Sequence, residues 1–250
     1  MGLPLHNLNL GAETAECLRF IISTNPEIRR LALAVIERPA PLQERLSLTP
    51  SEQGLVDLAL SLREKTHLPF WDALHLASFG MRDVSERLLD QARFHQPNAG
   101  KEQWVDATCV VDGHLKRLSD SHVGPSMLSV LSEVEMNSGE RRHLVFIDFH
   151  VPVSIENTAI VCEVAKSLVH YPALIIESGA SYHLIGTELV DVKQFRDTLA
   201  SALLFGPLTD RAYIAHQLLE GRAALRFSKG GHFNFVPRLL AVSRGSAGRG

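Results

Sequence analysis

Four short stretches of the chain carry residue types able to do chemistry. In FIDFH, Asp148 and His150 are two residues apart, so on a strand both side chains leave one face while Ile147 and Phe149 leave the other. A carboxylate beside an imidazole can ligate a divalent metal, or can orient the imidazole for proton transfer. In ESGASYHLIG, Ser178 and Gly179 form a corner whose backbone N–H groups a ligand can approach closely. His183, at the start of the return strand, can donate a hydrogen bond to a phosphate, whereas Tyr182 alternates to the other face and is expected to pack. In GPLTDRAYIAHQLLEG, Thr209 and Asp210 stand where a helix begins, and His216 is expected to be structural. A carboxylate at a helix start is stabilised by the helix dipole and needs no further role. In LRFS, Arg226 and Ser228 share a strand face and can pair with an anion. Each stretch alone also has an ordinary reading: a strand end with an edge histidine, a small-residue hairpin, a capped helix.

The elements that must position these residues follow from pattern. Residues 12–95 read as helices broken by prolines. ETAECLRFIIS opens the series. NPEIRRLALAVIER follows, with Asn25 as cap, Pro26 at the first helical position and Ile28, Leu31, Leu33, Val35 and Ile36 as its apolar residues. TPSEQGLVDLALSLREKT repeats the cap-then-proline start at Thr49 and Pro50. PFWDALHLASFG and MRDVSERLLDQARFH complete the set, and the tract QPNAGKEQ marks a boundary. Beyond it, WVDATCVVDG reads as a strand and GPSMLSVLSEVEMNSG as a short helix. HLVFIDFHVPV reads as a strand and SIENTAIVCEVAKSLVHYP as an amphipathic helix. The ALII…HLIG hairpin, two further helices from DVKQFRDTLASALLFGP and TDRAYIAHQLLEG, and a closing pair of strands in AALRFSKGGHFNFVPRLLAV follow. The expected organisation is a helical N-terminal domain over residues 1–100, an α+β domain over 101–242 and a flexible tail over 243–250.

Bulk properties bound the answer. With 250 residues, 45% hydrophobic and 21% charged, the composition is that of a soluble globular protein with a real core. A formal charge of -3 excludes a protein coated in positive charge but leaves room for a local basic groove. Arg141, Arg142, Arg222, Arg226, Lys229, Arg238, Arg244 and Arg249 are available to line one, although scattered arginines are by default a solvated surface. Phe227, Phe233 and Phe235 are expected in the core rather than as base-stacking platforms. Cys17, Cys109 and Cys162 have no paired spacing and read as reduced thiols. No secretory signal or membrane span is expected, and the location expected is cytoplasmic.

Taken in order, the set strand-Asp-x-His, helix, Ser-Gly-x-x-Tyr-His strand, helix, Asp-initiated helix and Leu-Arg-x-Ser resembles the archaeo-eukaryotic primase superfamily, the primase-polymerase proteins. FIDFH stands at the first motif, SYH at the second and TDRAYIAHQLLEG…LRFS at the third, within residues 105–242. The resemblance implies an RRM-like α+β core and metal-dependent nucleotidyl transfer from an NTP or dNTP to a 3′ hydroxyl, with magnesium or manganese as cofactor and DNA or RNA as partner. Asp148, Asp210 and His183 would be catalytic, with Asp148, His150 and Asp210 at the metal. Ser178, Ser181, His183, Arg226 and Ser228 would bind the nucleotide. One departure stands out: His150 occupies the second acidic position of the first motif, and magnesium prefers oxygen ligands. The alternative is therefore a catalytically degenerate protein that keeps nucleotide or nucleic-acid binding, or serves as an assembly subunit. Two further readings stay open. The N-terminal helices, around Trp71, Leu74 and Leu76, could dock a protein partner, and Asp148, His150, His183 and Asp210 could serve metal-assisted hydrolysis.

Overall fold

The structure, a computed structural model, describes residues 8–37, 48–68, 70–79, 81, 86, 88, 102–124, 126–230 and 234–245. It opens with helix α1 (Thr14–Thr24), started by a capping box between Glu13 and Glu16. The Asn25-Pro26 pair, expected to begin a second helix, instead closes the first: Asn25 Nδ2 donates to the Ile21 carbonyl at 2.7 Å. Residues expected as that second helix form strand β1 (Ile28–Glu37). Leu31, Leu33 and Val35 recur every second residue, and β-branched Ile28, Val35 and Ile36 favour a pleated surface. Pairing on both sides of β1 decides the matter, with β2 (Gln103–Asp106) on one edge and β3 (Ser126–Met136) on the other.

β3 is itself a correction, since its residues were expected to be helical. It is an eleven-residue strand, largely buried, and its run of apolar and small residues fits a strand covered on both faces. The expected strand WVDATCVVDG is only half one: at Asp106 it turns into helix α4 (Ala107–Val111), followed by α5 (His114–Ser121). Strand β4 (Arg141–Asp148), helix α6 (Ile155–Leu168), the hairpin of β5 (Ala173–Glu177) and β6 (Tyr182–Val190), and helices α7 (Val192–Ala202) and α8 (Arg211–Glu220) fall where the sequence puts them. The closing strands β7 (Ala224–Arg226) and β8 (Arg238–Ser243) also form, but they pair with different partners rather than with each other.

Among the described residues these strands make one antiparallel sheet in the order β2–β1–β3–β4–β6–β5–β8, with β7 beside β3. β4 pairs with β3 only where Arg141–His143 face Glu135–Glu133. Further along the same edge of β3, Ser129–Leu131 take β7 instead. β4 and β5 run in the same direction with β6 between them, joined through α6, which is a split β-α-β arrangement. One apolar core packs Leu18, Leu31, Val130, Phe146, Leu174, Phe195 and Ile214 together. Each such fully buried side chain contributes about 1.5–3 kcal/mol.

The chain divides into two compact units, residues 1–37 with 100–250, and residues 38–99. Residues up to Glu37, expected in a separate helical domain, thus supply α1 and β1 to the unit that holds the sheet. The second unit contains α2 (Pro50–Thr66), with a capping box between Thr49 and Glu52, and α3 (Phe70–Ser78), which pack around Leu55, Val56, Ala59 and Leu74. Most of MRDVSERLLDQARFH, the boundary tract before Glu102, the Trp71 side chain, Phe233 and Arg249 lie outside what is described. No helix among the described residues is long and apolar enough to cross a membrane.

Candidate functional site

Asp148 is the last residue of β4, and its register partner on β6 is His183. Directly opposed residues on neighbouring strands project from the same face, and His183 Nε2 lies 3.7 Å from Asp148 Oδ1. Past Asp148 the backbone is held from two sides. Phe149 donates its N–H to the Tyr182 carbonyl at 2.9 Å, and Phe149 also bridges Thr209. The Asp210 N–H donates to the Asp148 carbonyl at 2.9 Å, and the His150 N–H donates to the Leu208 carbonyl at 2.7 Å. Asp210 is the N-cap of α8, its Oδ1 accepting from the Tyr213 N–H at 2.9 Å. Three segments far apart in sequence therefore bring Asp148, His183 and Asp210 to one place, and the main chains of the two acids are bonded directly.

The electrostatics of this recess are unusual. Burial, and next the charge of Asp210, push the Asp148 carboxyl up to about 8, against the opposing pull of the Phe149 N–H and the Arg226 charge. Its side chain keeps 29% of its surface exposed, so solvent still reaches it. His183 is driven the other way, down to about 3, first by burial and then by Arg226. It is neutral at neutral pH, so its approach to Asp148 is not an ion pair. Its Nδ1 is buried without a hydrogen-bond partner. Tyr213 is raised well above the usual phenol range by burial and by Asp148, and its hydroxyl donates to the Ala224 carbonyl at 3.0 Å.

The other residues singled out in the sequence divide by what their polar atoms touch. In the β5–β6 corner the Ser178 N–H donates to the Ser181 carbonyl at 2.9 Å, and the Ser181 hydroxyl donates to the Phe149 carbonyl. Gly179 has φ +116°, and the ring of Phe235 lies 3.7 Å from where a Cβ would stand. Ser228 is fully buried; its hydroxyl donates to the Lys229 carbonyl at 2.6 Å and accepts from the Leu128 N–H at 2.9 Å. Arg226 is buried, and its guanidinium donates to the carbonyls of Ser228, Phe235 and Ser178, each at 2.6 Å. Burial lowers it to about 10. His150 is exposed. Tyr182 packs as expected, fully buried, its hydroxyl donating to the Ser154 carbonyl and accepting from the Ser154 N–H at the start of α6.

Phe227 is in the core and His216 is buried. Arg141, Arg142 and Arg222 are paired with Glu133, Glu140 and Glu102 respectively. Arg238 stacks over Phe235, 4.6 Å from the ring centre. The carbonyl-binding role of Arg226 has no local sequence signal, because its partner Ser178 is distant in the chain and a main-chain acceptor has no residue signature. The chemistry of the donor set shows whether a divalent cation fits. Two carboxylates crowd one recess, and burial and then the charge of Asp210 push Asp148 up despite the Arg226 charge, a crowding that a bound divalent cation would relieve. The fit rests on two carboxylates only: among the described residues no group of three or more His, Cys, Asp or Glu is poised to hold a metal.

Fold and site together define an α+β protein in which the ends of β4 and β6 and the start of α8 gather two carboxylates and a histidine. The family model for AEP-like proteins, described as archaeo-eukaryotic primase 1D-like, matches residues 110–233, which run from α4 past β7 and include Asp148, His183, Asp210 and Arg226. The match over this segment supports membership of the archaeo-eukaryotic primase superfamily and, at the level of the family, a primase-like function of the nucleotidyltransferase type. No curated protein and no solved structure matches the chain.

Proposed function

We propose that the chain binds a nucleoside triphosphate at the ends of β4 and β6 and transfers nucleotidyl groups to a 3′ hydroxyl of DNA or RNA. The observation that carries this reading is the meeting of Asp148, His183 and Asp210 at one strand end. The split β4–α6–β5 arrangement also supports the RRM-like core that the family resemblance implies. Asp148 and Asp210 would hold a divalent cation, magnesium or manganese, whose bound charge would neutralise the triphosphate and the developing charge on the reacting oxygens. Neutral His183 offers a ring N–H to a phosphate oxygen, a donor fixed in place by its strand. Ser178 and Ser181 shape the corner through the main chain, and Gly179 there lies against the ring of Phe235.

A second reading is favoured by a specific observation. His150 stands at the first motif's second acid position and is exposed, and no third carboxylate joins the pair among the described residues. In that reading nucleotide binding survives and nucleotidyl transfer is lost. Primer extension with labelled deoxynucleotides and ribonucleotides, in magnesium and then in manganese, separates the two. Extension that disappears in D148N supports the enzyme, with manganese expected to serve better than magnesium because an imidazole replaces an oxygen ligand. Absence of extension with measurable binding of ATP and manganese supports the degenerate form. Absence of both overturns the nucleotide reading altogether.

A further inference from the structure

The arginine of the Leu-Arg-x-Ser stretch invites assignment as a phosphate clamp, but its hydrogen bonds point elsewhere. Arg226 Nη1 donates to two carbonyls, those of Ser228 and Phe235, and Nη2 donates to a third, that of Ser178. These acceptors come from three stretches: the residues just past β7, those just before β8, and the β5–β6 corner. The residue is only 8% exposed, so its charge sits inside the protein. A planar guanidinium with donors in a rigid fork can hold such a set of acceptors; an ammonium on a flexible stem cannot reproduce it.

The corner it holds leads straight into the site. Ser178 begins the turn whose last residue, Ser181, donates its hydroxyl to the Phe149 carbonyl, one residue past Asp148. His183 follows two residues later. Phe235, whose carbonyl Arg226 also binds, lays its ring over Gly179 and so covers the same turn.

We propose that Arg226 is a positioning residue: it locks the β5–β6 corner against the start of β8 and thereby sets where His183 and the corner main chain stand relative to Asp148. Beside the charge it exerts on Asp148 and His183, its contribution to the nucleotide site is geometric and needs no bond to the phosphates. That contribution rests on the nucleotide-binding reading of the site, whereas the locking of the corner does not.

The test uses the full-length chain with Arg226→Ala and Arg226→Lys, and reads two quantities. Hydrogen exchange is followed in peptides covering residues 173–186, with α6 as an internal reference. Binding of ATP with manganese is followed by calorimetry. The proposal expects faster exchange in the corner of R226A with α6 unchanged, and ATP affinity lower by roughly tenfold or more. Methylguanidinium at millimolar concentration should restore both in R226A, while Lys at this position should restore neither. If R226A fails to fold, R226K alone decides, since it keeps the charge and loses the fork. Wild-type exchange in the corner of R226K, or no recovery of a folded R226A with methylguanidinium, overturns the proposal. If the wild-type chain binds no ATP, the nucleotide reading fails while the exchange measurements still decide the locking role.

Discussion

Asp148 and His183 impose opposite pH dependences on the fold, and their signs follow from the direction of each shift. Asp148 is raised from 3.8 to about 8, so between those values the folded chain keeps a proton that the unfolded chain releases, and stability falls as pH rises. His183 is lowered from 6.5 to about 3, so between those values the unfolded chain takes a proton that the folded chain refuses, and stability falls as pH drops. From about pH 4 to 6.5 the two slopes cancel. In metal-free buffer, D148N should therefore melt higher than wild type at pH 8 and close to it at pH 4. Manganese should raise the wild-type melting temperature at pH 8 and leave D148N unmoved. H183Q should lose the plateau, its stability declining across the whole range from about pH 4 to 8. A pH series of thermal melts checks all three. At this scale the sequence was informative where side-chain alternation alone decides, as for Asp148 and Tyr182. It offered Ser228 and Arg226 to an anion and had no signal for the main-chain partners that tertiary pairing brings to them.

At the scale of elements, Asp210 does two things that can be separated. It caps α8 through the Tyr213 N–H, and it brings its carboxylate to Asp148. Serine caps a helix about as well as aspartate, whereas alanine forfeits about 1 kcal/mol. D210S should thus unfold in urea within about 0.5 kcal/mol of wild type and still lose ATP–manganese binding, while D210A should lose both. Equal binding by D210S and wild type would remove Asp210 from the metal site. The two strands misread as helices show why element type was less legible than element order. β1 carries a helix-start signal, Asn25-Pro26, that serves as the exit of α1, and its alanines suit either period. β3 has too little polar alternation to declare its face, because neighbours on both edges and cover on both sides leave nearly all of it inside. The helices downstream were legible because each has one wet face and a capping residue, as at Ser154 and Asp191.

For the whole molecule, the division into residues 1–37 with 100–250 and residues 38–99 gives a direct test. β1 pairs with β2 across the intervening unit, Leu33 facing Gln103, so that unit is an insertion between paired strands. All candidate site residues lie in the sheet-bearing unit. Replacing residues 39–99 by a short Gly-Ser linker should leave a chain that unfolds cooperatively and binds ATP with manganese as the full chain does. Loss of the cooperative transition would show that the sheet needs the insertion to form. The sequence boundary near residue 100 was legible from its proline, asparagine and glycine. The return of residues 14–37 to the sheet was not, because strand pairing across an insertion leaves no mark on either segment alone.

His150 has a further consequence when viewed as heredity rather than chemistry. Its main chain is tied to Leu208 by a bond from its own N–H, which every residue but proline keeps, so the position is held beside the Asp210 segment whatever other residue fills it. Histidine and aspartate codons differ in their first base alone. A single transversion would therefore install the acid of the primase-polymerase motif on a scaffold that already presents it.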